Sequence, residues 1–284
     1  MSFDVQKYEG GLCGLQNFGA TCYLNSILQV LFNNNYLADY ILNKKYTLNG
    51  DFEDNILLKE LEELMEIVWG QNCIIAPKKF VVEFSHIEKM NLNEQNDPDE
   101  YYEKIITRLY EETCMEIDGT NNKQWDLNFK NKHSYINSEF YGQYKSEIQC
   151  VECGHSSLSY NPYISLKLEV VNSSMINCLK SHLSWENDIT YTCEKCKAEN
   201  KAKKRFTILK IPSVFVVTLK RYTNFGEKKS EVIEYPDLFE IDNIKLELYG
   251  IIVHYGNHLY CGHYTSYIKY LRNNKWYHIN DDNI

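Results

Sequence analysis

The sequence predicts an α+β fold, in which a helical part precedes a part built from strands. Apolar residues recur at helical spacing up to about residue 130, and alternating or β-branched runs dominate from about residue 139. Neither a repeat nor a low-complexity linker separates the two parts, and 284 residues allow one large or two small domains. We therefore expect a helical lobe packed against an antiparallel β lobe, with the functional site in the cleft between them.

The composition is that of a folded protein with an acidic surface. Hydrophobic residues make up 44% of the chain and aromatic residues 14%, against only 5 Pro. Such a chain buries enough apolar surface to offset its conformational entropy, which excludes disorder. The formal net charge of −9 repels phosphate groups, so it argues against a nucleic acid partner and favours a basic one.

The sequence also predicts an intracellular protein, cytoplasmic or nuclear, with no membrane partner. Residues 1–7 lack the apolar core of a signal peptide, and the apolar run 214–217 is too short to span a bilayer. In a reducing compartment, the 10 cysteines are expected to be thiols, metal ligands or nucleophiles rather than a disulfide framework.

Two helices are predicted early in the chain by their apolar periodicity. The first begins near Thr21 and ends at residues 33–35, with a buried stripe of Leu24, Ile27, Leu28 and Leu31. The second stops at Gly70, and its buried stripe consists of Leu57, Leu61, Leu64, Met65 and Val68.

A third helix is predicted by its capping residues. Asp97 is placed as the N-cap, Pro98 as the first helical residue and Glu100 as the reciprocal cap. Its buried face contains Ile105, Ile106 and Leu109. The strands of the second part are predicted at residues 163–171, 206–211, 214–219, 249–254 and 264–271.

Two Cys-x-x-Cys pairs form the most specific motif of the chain. Cys150 and Cys153 are followed by Cys193 and Cys196, and both pairs lie among turn residues in the β part. Two such pairs can present four thiolates tetrahedrally to one Zn²⁺, which is typical of a structural site. Four incidental thiols, two redox pairs, or His155 as a competing ligand are the alternatives. The nearby Lys201, Lys203, Lys204 and Arg205 are interpreted as a solvated charged face, with nucleic acid binding as the alternative.

Cys22 is the candidate nucleophile, because it lies in the first turn of the first helix and off the buried stripe. Unpaired N–H groups and the helix dipole favour a thiolate there. Asn17, five residues earlier, can donate its side-chain amide to an oxyanion together with the Cys22 N–H. A small packing cysteine is the alternative.

His263 is the candidate base, at the start of a predicted strand. The chain then turns near residues 272–275, so that Asn280 can face the imidazole and leave the other ring nitrogen for Cys22. Direct opposition requires a hairpin centred between residues 271 and 272, which predicts a loop longer than two residues or a bulge. His254 is the main rival, and its strand context favours a buried structural histidine.

Together these segments resemble the ubiquitin-specific protease family, the papain-like deubiquitinases with thumb, palm and fingers. Residues 14–26 (GLQNFGATCYLNS) resemble the cysteine box of the family, and residues 262–264 with residues 276–281 resemble its histidine box. Residues 95–101 are similar to its Gln-Gln-Asp-x-x-Glu-Phe segment, and residues 219–222 to its Leu-Lys-Arg-Phe segment. With the two Cys-x-x-Cys pairs, the resemblance covers nearly the whole chain.

The resemblance implies a role for each matched residue. Cys22 is the nucleophile, Asn17 an oxyanion-hole donor, His263 the general base and acid, and Asn280 the third catalytic residue. The family more often has Asp at that third position. Asn280 orients the imidazole without adding charge, and Asp281 beside it is expected to contribute the negative charge.

The resemblance further implies a single catalytic domain over residues 1–284, papain-like, with ubiquitin and ubiquitinated proteins as partners and an activating partner left open. Asp97 and Glu100 would line the groove for the ubiquitin tail. The domain would comprise a helical thumb, zinc-tipped β fingers and an antiparallel β palm, at residues 1–138, 139–205 and 206–284. The fingertip zinc ligands would be Cys150, Cys153, Cys193 and Cys196.

The implied function is that of a thiol protease, which hydrolyses the isopeptide or peptide bond after the C-terminal Gly of ubiquitin and needs no cofactor for catalysis. Two alternatives stay open at this point. A protease for a ubiquitin-like modifier would have the same catalytic residues, and a catalytically silent scaffold would bind ubiquitin without cleaving it.

Overall fold

A computed structural model of the chain describes residues 3–50, 55–223, 226–258 and 261–284. The contacts within it divide the chain into two compact units. The first unit comprises Met1–Cys114, Tyr222–Lys228 and Pro236–Ile284, and the second Met115–Arg221 and Lys229–Tyr235. Both ends of the chain therefore belong to the first unit.

Helices and strands alternate in the described residues in a mixed order. The helices are α1 (Cys22–Phe32), α2 (Asn35–Leu42), α3 (Ile56–Gly70), α4 (Lys78–Glu88), α5 (Pro98–Thr113), α6 (Lys123–Asn128), α7 (Tyr135–Phe140) and α8 (Met175–Leu183). The strands are β1 (Gly14–Leu15), β2 (Ile74–Ile75), β3 (Met115–Glu116), β4 (Lys132–His133), β5 (Gly142–Cys150), β6 (Ser156–Tyr163), β7 (Ser165–Glu169), β8 (Glu186–Cys193), β9 (Ala198–Lys210), β10 (Val216–Lys220), β11 (Leu238–Ile241), β12 (Ile244–Glu247), β13 (Gly250–His258), β14 (Cys261–Lys269) and β15 (Trp276–Ile279).

The three predicted helices are confirmed as α1, α3 and α5. Asp97 caps α5 through its side chain, which accepts a hydrogen bond from the N–H of Asp99 at 2.9 Å, and Pro98 is the first helical residue. The predicted role of Glu100 as a reciprocal cap is not what the structure shows. Its carboxylate forms an ion pair with Lys104 one turn later, at 2.9 Å, because that partner lies on the same exposed face.

The described residues form five further helices that the sequence does not predict, and four of them have only six to nine residues, too few for a clear apolar period. α2 begins directly after α1, where the Asn34 side chain accepts a hydrogen bond from the N–H of Leu37 at 2.9 Å. The sequence predicts only a helix end at residues 33–35, whereas residues 33–34 separate two helices and Asn35 begins the second. Asparagine in fact both ends one helix and caps the next here.

Helix α1 is buried almost all round, including its polar residues. Gln29 donates to the carbonyl oxygen of Cys13 at 2.6 Å, and Asn33 donates to that of Gln29 at 3.3 Å. The buried amide of Gln29 thus satisfies a backbone carbonyl of the segment that precedes β1. Within the first unit α1 packs against β14, so helix and sheet share one core.

The first unit contains the antiparallel sheet β13-β14-β15. Six residues, 270–275, connect β14 to β15, which confirms the predicted loop longer than two residues. The last paired residues are Ser266 and Ile279, a register that, if extended, would set His263 opposite Asp282 rather than Asn280. Direct cross-strand opposition of His263 and Asn280 is therefore not the geometry of this hairpin.

The second unit contains the antiparallel sheet β6-β5-β9-β8. β9 runs for 13 residues, well beyond the predicted strand 206–211, because the polar residues that precede Phe206 continue the ladder with β5 and β8. One pairing departs from the predicted antiparallel sheet, since β10 lies parallel to β7.

Gly14 generates a prediction because it leaves no room for a side chain. A Cβ at this position would lie 2.4 Å from the carbonyl oxygen of Asp282, which is backbone and cannot turn aside. We expect Gly14→Ala to lower the free energy of unfolding by about 1–3 kcal/mol in urea denaturation. Gly70→Ala is the matched control, because nothing lies within 4 Å of its Cβ position. Equal stability of the two variants would contradict the close approach.

Candidate active site

Cys22 is the first residue of α1 and is only 2% exposed. Burial raises the pKa of its thiol above the ordinary value, the nearby backbone N–H of Tyr264 lowers this pKa, and the charge of Asp281 raises it. The Cys22 thiol is therefore near the residue that follows His263. The start of α1 and the start of β14 are brought together, although 241 positions separate Cys22 from His263 in the sequence.

The structure brings Asn280 to His263 through a tight turn rather than through the ladder. Asn280 and Asn283 exchange both backbone hydrogen bonds, at 2.8 and 2.9 Å, and Asp281 between them has a left-handed φ of 51°. This turn carries the Asn280 Oδ1 atom to 2.6 Å from Nε2 of His263. A ring nitrogen bonded to a carbonyl oxygen carries the proton, so Nδ1 is the ring nitrogen left with a lone pair.

The carboxylate of Asp281 is held by two amides. Asn17 Nδ2 donates to its Oδ2 at 2.9 Å, and Asn25 Nδ2 donates to its Oδ1 at 2.8 Å. The same Oδ2 lies 3.9 Å from Nε2 of His263, and the side chain of Asp281 is only 14% exposed. Neutral amides satisfy this carboxylate without cancelling its charge, which leaves a negative charge beside the imidazole.

Asn17 is oriented by the residue that precedes Cys22. Its Oδ1 accepts hydrogen bonds from the N–H of Thr21 at 3.1 Å and from the Thr21 hydroxyl at 3.0 Å. With the oxygen bound there, the amide nitrogen faces Asp281. One of its two N–H groups is used by that bond, and the second stays available to another acceptor.

Asp97 and Glu100 occupy different surroundings. Burial raises the pKa of Tyr264, and the negative charge of Asp97 raises it further, so Asp97 lies near the strand that carries His263. Glu100 is 59% exposed in its side chain and is paired with Lys104. Burial raises the pKa of Tyr23, the residue after Cys22, and the charge of Glu100 raises it further. Both carboxylates therefore lie near segments that carry the catalytic candidates, and Glu100 is the more exposed partner of an ion pair.

Two residues of this site were quoted within motifs but given no role by the sequence analysis. Asn25 is 2% exposed, and its side-chain amide donates to the carboxylate of Asp281. Gln95 donates from Nε2 to the carbonyl oxygen of Gly262, the residue before His263. Asn25 lies one helical turn after Cys22, in the same buried helix. A polar residue within a predicted core helix was the signal that could have indicated it.

His254, the rival base, has a different environment. Its Nδ1 lies 2.6 Å from the hydroxyl of Tyr222, and Lys228 donates to its carbonyl oxygen at 2.6 Å. Burial lowers the pKa of this imidazole, and the charges of Lys228 and His263 lower it further. A neutral imidazole fixed by a tyrosine matches the structural role expected for it.

A candidate metal site is formed in the second unit at the ends of two hairpins. Cys150 ends β5 and Cys193 ends β8, and each is followed by the turn that carries the second cysteine of its pair. The four Sγ atoms lie within 4.8 Å of one another, with Cys150 to Cys196 at 4.0 Å and Cys153 to Cys193 at 3.6 Å.

This geometry fits a tetrahedral thiolate site. Four sulfurs about 2.3 Å from a Zn²⁺ ion would be separated by roughly 3.8 Å, which the observed separations match. The N–H of Cys196 donates to the sulfur of Cys193 at 3.5 Å and lowers the pKa of that thiol to about 7. Among the described residues, the cluster of possible metal ligands consists of these four cysteines and does not include His155. The four cysteines lie close enough together to bind one metal ion.

The family is decided by a comparison that spans nearly the whole chain. The family model described as "Ubiquitin carboxyl-terminal hydrolase" matches residues 13–284. The chain belongs to this family. Cys22, His263, Asn280 and Asp281 all lie within the matched residues.

Curated members of the hydrolase family are similar over almost all of this chain. Ubiquitin carboxyl-terminal hydrolase Usp2 of Drosophila melanogaster is 28% identical over 98% of this chain and 33% of its own length. Ubiquitin carboxyl-terminal hydrolase 2 of Homo sapiens is 25% identical over 98% of this chain and 53% of its own length. The chain thus spans between a third and about half of the length of these relatives.

Solved structures of the family show the same fold. The SAGA Ubp8/Sgf11/Sus1/Sgf73 DUB module bound to ubiquitin aldehyde is similar with a TM-score of 0.74 and 26% identity, over 97% of this chain and 65% of that chain. The Ubp8-Sgf11-Sgf73-Sus1 module gives a TM-score of 0.75 and 25% identity, over 98% and 64%. The predicted papain-like α+β fold of the ubiquitin-specific proteases is thereby confirmed.

Within the described part of the chain, no helix is both long enough and apolar enough to cross a bilayer.

Proposed function

We propose that this chain is a thiol-dependent deubiquitinase, which hydrolyses the isopeptide or peptide bond after the C-terminal Gly of ubiquitin. The observation that carries the proposal is the junction of two distant segments. The thiol of Cys22 lies near enough to the backbone N–H of Tyr264 for that group to lower its pKa, and Tyr264 directly follows His263, whose Nε2 lies 2.6 Å from Oδ1 of Asn280. Membership in the hydrolase family and the likeness to a module bound to ubiquitin aldehyde support the same reaction.

In this proposal, His263 carries out the proton transfers. Because Nε2 is bonded to Asn280, the lone pair of Nδ1 accepts the thiol proton of Cys22 and generates the thiolate. Burial raises the pKa of the free thiol, so the thiolate has to form with the base close by. The carboxylate of Asp281 lies 3.9 Å from Nε2, on the side of the imidazole that faces Asn280.

The reaction then follows acyl transfer through a thioester. The Cys22 thiolate attacks the carbonyl carbon of the terminal Gly, and the negative charge moves to the carbonyl oxygen, where the Cys22 N–H and the second N–H of Asn17 donate to it. His263 gives its proton to the leaving lysine amine as the C–N bond breaks. Water, deprotonated by His263, hydrolyses the thioester and restores the Cys22 thiol.

In this proposal, Asp281 also orients Asn17, the side chain that donates to the oxyanion. It accepts one N–H of Asn17, while Thr21 holds the amide oxygen, so the second N–H of Asn17 has a fixed direction. A donor that is fixed before the reaction needs no reorganisation when the oxyanion forms. Asp97 is proposed to line the groove for the ubiquitin tail, and Glu100 to act at its exposed rim.

We propose Zn²⁺ as the ion held by Cys150, Cys153, Cys193 and Cys196, in a structural role. Four thiolates fill a tetrahedral coordination sphere and leave no position for a reacting water. The ion would fix the ends of the two hairpins that carry its ligands and would take no part in the hydrolysis. Catalysis itself would need no cofactor.

Ubiquitin and ubiquitinated proteins are the proposed partners, in the cytoplasm or the nucleus. The solved neighbours are described as modules in which Ubp8 is joined by Sgf11, Sus1 and Sgf73, so an activating partner is part of the proposal. A protease for a ubiquitin-like modifier is the alternative with the same catalytic residues.

A ubiquitin probe with a C-terminal electrophile tests the proposed function. We expect covalent labelling of wild-type protein at Cys22, mapped by mass spectrometry, and none of Cys22→Ala. Cys261→Ala is the matched control, since this cysteine is exposed and outside the proposed mechanism. Binding without labelling would indicate a scaffold, and preferential labelling by the probe of another modifier would indicate the alternative protease.

The division of roles between Asn280 and Asp281 gives a quantitative prediction. Asn280→Ala removes the hydrogen bond to His263. We expect this loss to raise the activation free energy by about 1.5–3 kcal/mol, which lowers kcat/KM by roughly 10–150-fold. Asp281→Ala should lower kcat/KM by at least about tenfold more, because it removes the charge beside His263 and also the acceptor that orients Asn17.

Turnover of a fluorogenic ubiquitin substrate measures these effects. Asp282→Ala is the control, since its exposed carboxylate accepts only from the neighbouring Asn283 side chain in the described contacts, and it should change kcat/KM less than about twofold. An Asp281→Ala variant as active as Asp282→Ala would remove Asp281 from the mechanism.

The metal proposal predicts a loss of stability when one ligand is removed. Structural zinc sites contribute about 10–16 kcal/mol of apparent binding free energy in small zinc peptides, so Cys153→Ser should lower the thermal midpoint and abolish stoichiometric zinc. Cys178→Ser, a buried cysteine outside the cluster, is the control and should retain one zinc per chain. The metal site would be contradicted if Cys153→Ser had the same thermal midpoint as the parent and elemental analysis found no zinc in the parent.

A further inference from the structure

Two cysteines outside both sites lie in sulfur-to-sulfur contact. The Sγ atoms of Cys13 and Cys73 are 3.8 Å apart. Each cysteine directly precedes one strand of the parallel pair β1 and β2, in which Gly14 is paired with Ile74. Neighbouring strands lie roughly 4.8 Å apart, within the range of roughly 4.4–6.8 Å between the Cα atoms of a disulfide. A bond between the two sulfurs therefore needs side-chain rotation and little movement of the backbone.

The two thiols differ in access to solvent. Cys13 is fully buried, with its sulfur 3.3 Å from the carbonyl oxygen of Gln71, and burial raises its pKa to about 12. Cys73 is partly exposed. An oxidant in solution therefore reaches Cys73 first. Cys13 remains a thiol, with its sulfur in contact with that of Cys73.

We propose that Cys13 and Cys73 form a thiol–disulfide site that is oxidised by hydrogen peroxide or an organic hydroperoxide. The sulfur of Cys73 attacks one peroxide oxygen, the O–O bond breaks, and a sulfenic acid and one water (or alcohol) are formed. The sulfur of Cys13 then attacks the Cys73 sulfur. The S–S bond forms, hydroxide leaves, and the thiol proton of Cys13 joins it as water. Two thiols lose two electrons, and the peroxide gains them.

The location gives this site a connection to the candidate active site. Gln29 of α1 donates to the carbonyl oxygen of Cys13 at 2.6 Å, and the N–H of Leu15 donates to the carbonyl oxygen of Asp281 at 2.8 Å. The disulfide would thus tie β2 to the segment that supports Asp281. The proposal does not involve Cys22 and stands independently of the hydrolase activity.

Mass spectrometry of the peroxide-treated full chain, kept in its zinc-loaded form, tests the proposal. Free thiols are blocked with N-ethylmaleimide, and the protein is digested without reduction. We expect a cross-linked pair of peptides that contain Cys13 and Cys73, two hydrogens lighter than their sum, which disappears after dithiothreitol. In Cys13→Ser, which lacks the second thiol, Cys73 should instead accumulate as a sulfenic acid trapped by dimedone.

Matched variants separate this site from general oxidation. Cys73→Ser should abolish the cross-link, whereas Cys178→Ser, another buried cysteine, should leave it unchanged. The proposal is overturned if Cys73 stays reduced at peroxide doses that oxidise the exposed Cys261, or if it becomes sulfinic acid without any cross-link. A bond from either residue to a third cysteine would overturn it equally.

Discussion

The carboxylate of Asp281 is the group on which the candidate active site depends. One oxygen accepts the amide of Asn17, the other that of Asn25, and its backbone carbonyl accepts the N–H of Leu15. Three residues among the first 25 therefore hold Asp281, near the end of the described chain, by hydrogen bonds. Removal of that carboxylate would take the acceptor from the Asn17 amide and one of three acceptors from the Asn25 amide, while the backbone hydrogen bonds of the turn would stay.

The contacts around Asp281 divide two tasks between neighbouring residues. Its carboxylate oxygens accept from the neutral amides of Asn17 and Asn25, and one of them lies 3.9 Å from Nε2 of His263. The imidazole of His263 is thus oriented by one residue, Asn280, and lies beside the carboxylate of the next, Asp281.

The second unit is organised by a different constraint. Its long strands β5 and β9 are largely polar on their exposed faces, and the two hairpins end in turns that bury little apolar surface. Hairpin ends of this kind fray readily unless something fixes them. The four sulfurs lie at those ends, so a bound ion would stabilise the part of the unit to which the hydrophobic core contributes least.

The sequence by itself determined the local features of this protein. Helical periodicity placed α1, α3 and α5, the Asp97-Pro98 start placed a helix boundary, and the Cys-x-x-Cys spacing indicated the metal cluster, because each depends on residues close together in the chain. The cysteine and histidine boxes indicated the family for the same reason. What the tertiary structure alone decided is how distant segments meet. The turn at residues 280–283 replaced the expected cross-strand pairing, Asn25 joined the site from within a buried helix, and Cys13 met Cys73 across a strand pair of two residues each. Such contacts depend on register and packing, which no short stretch of sequence encodes.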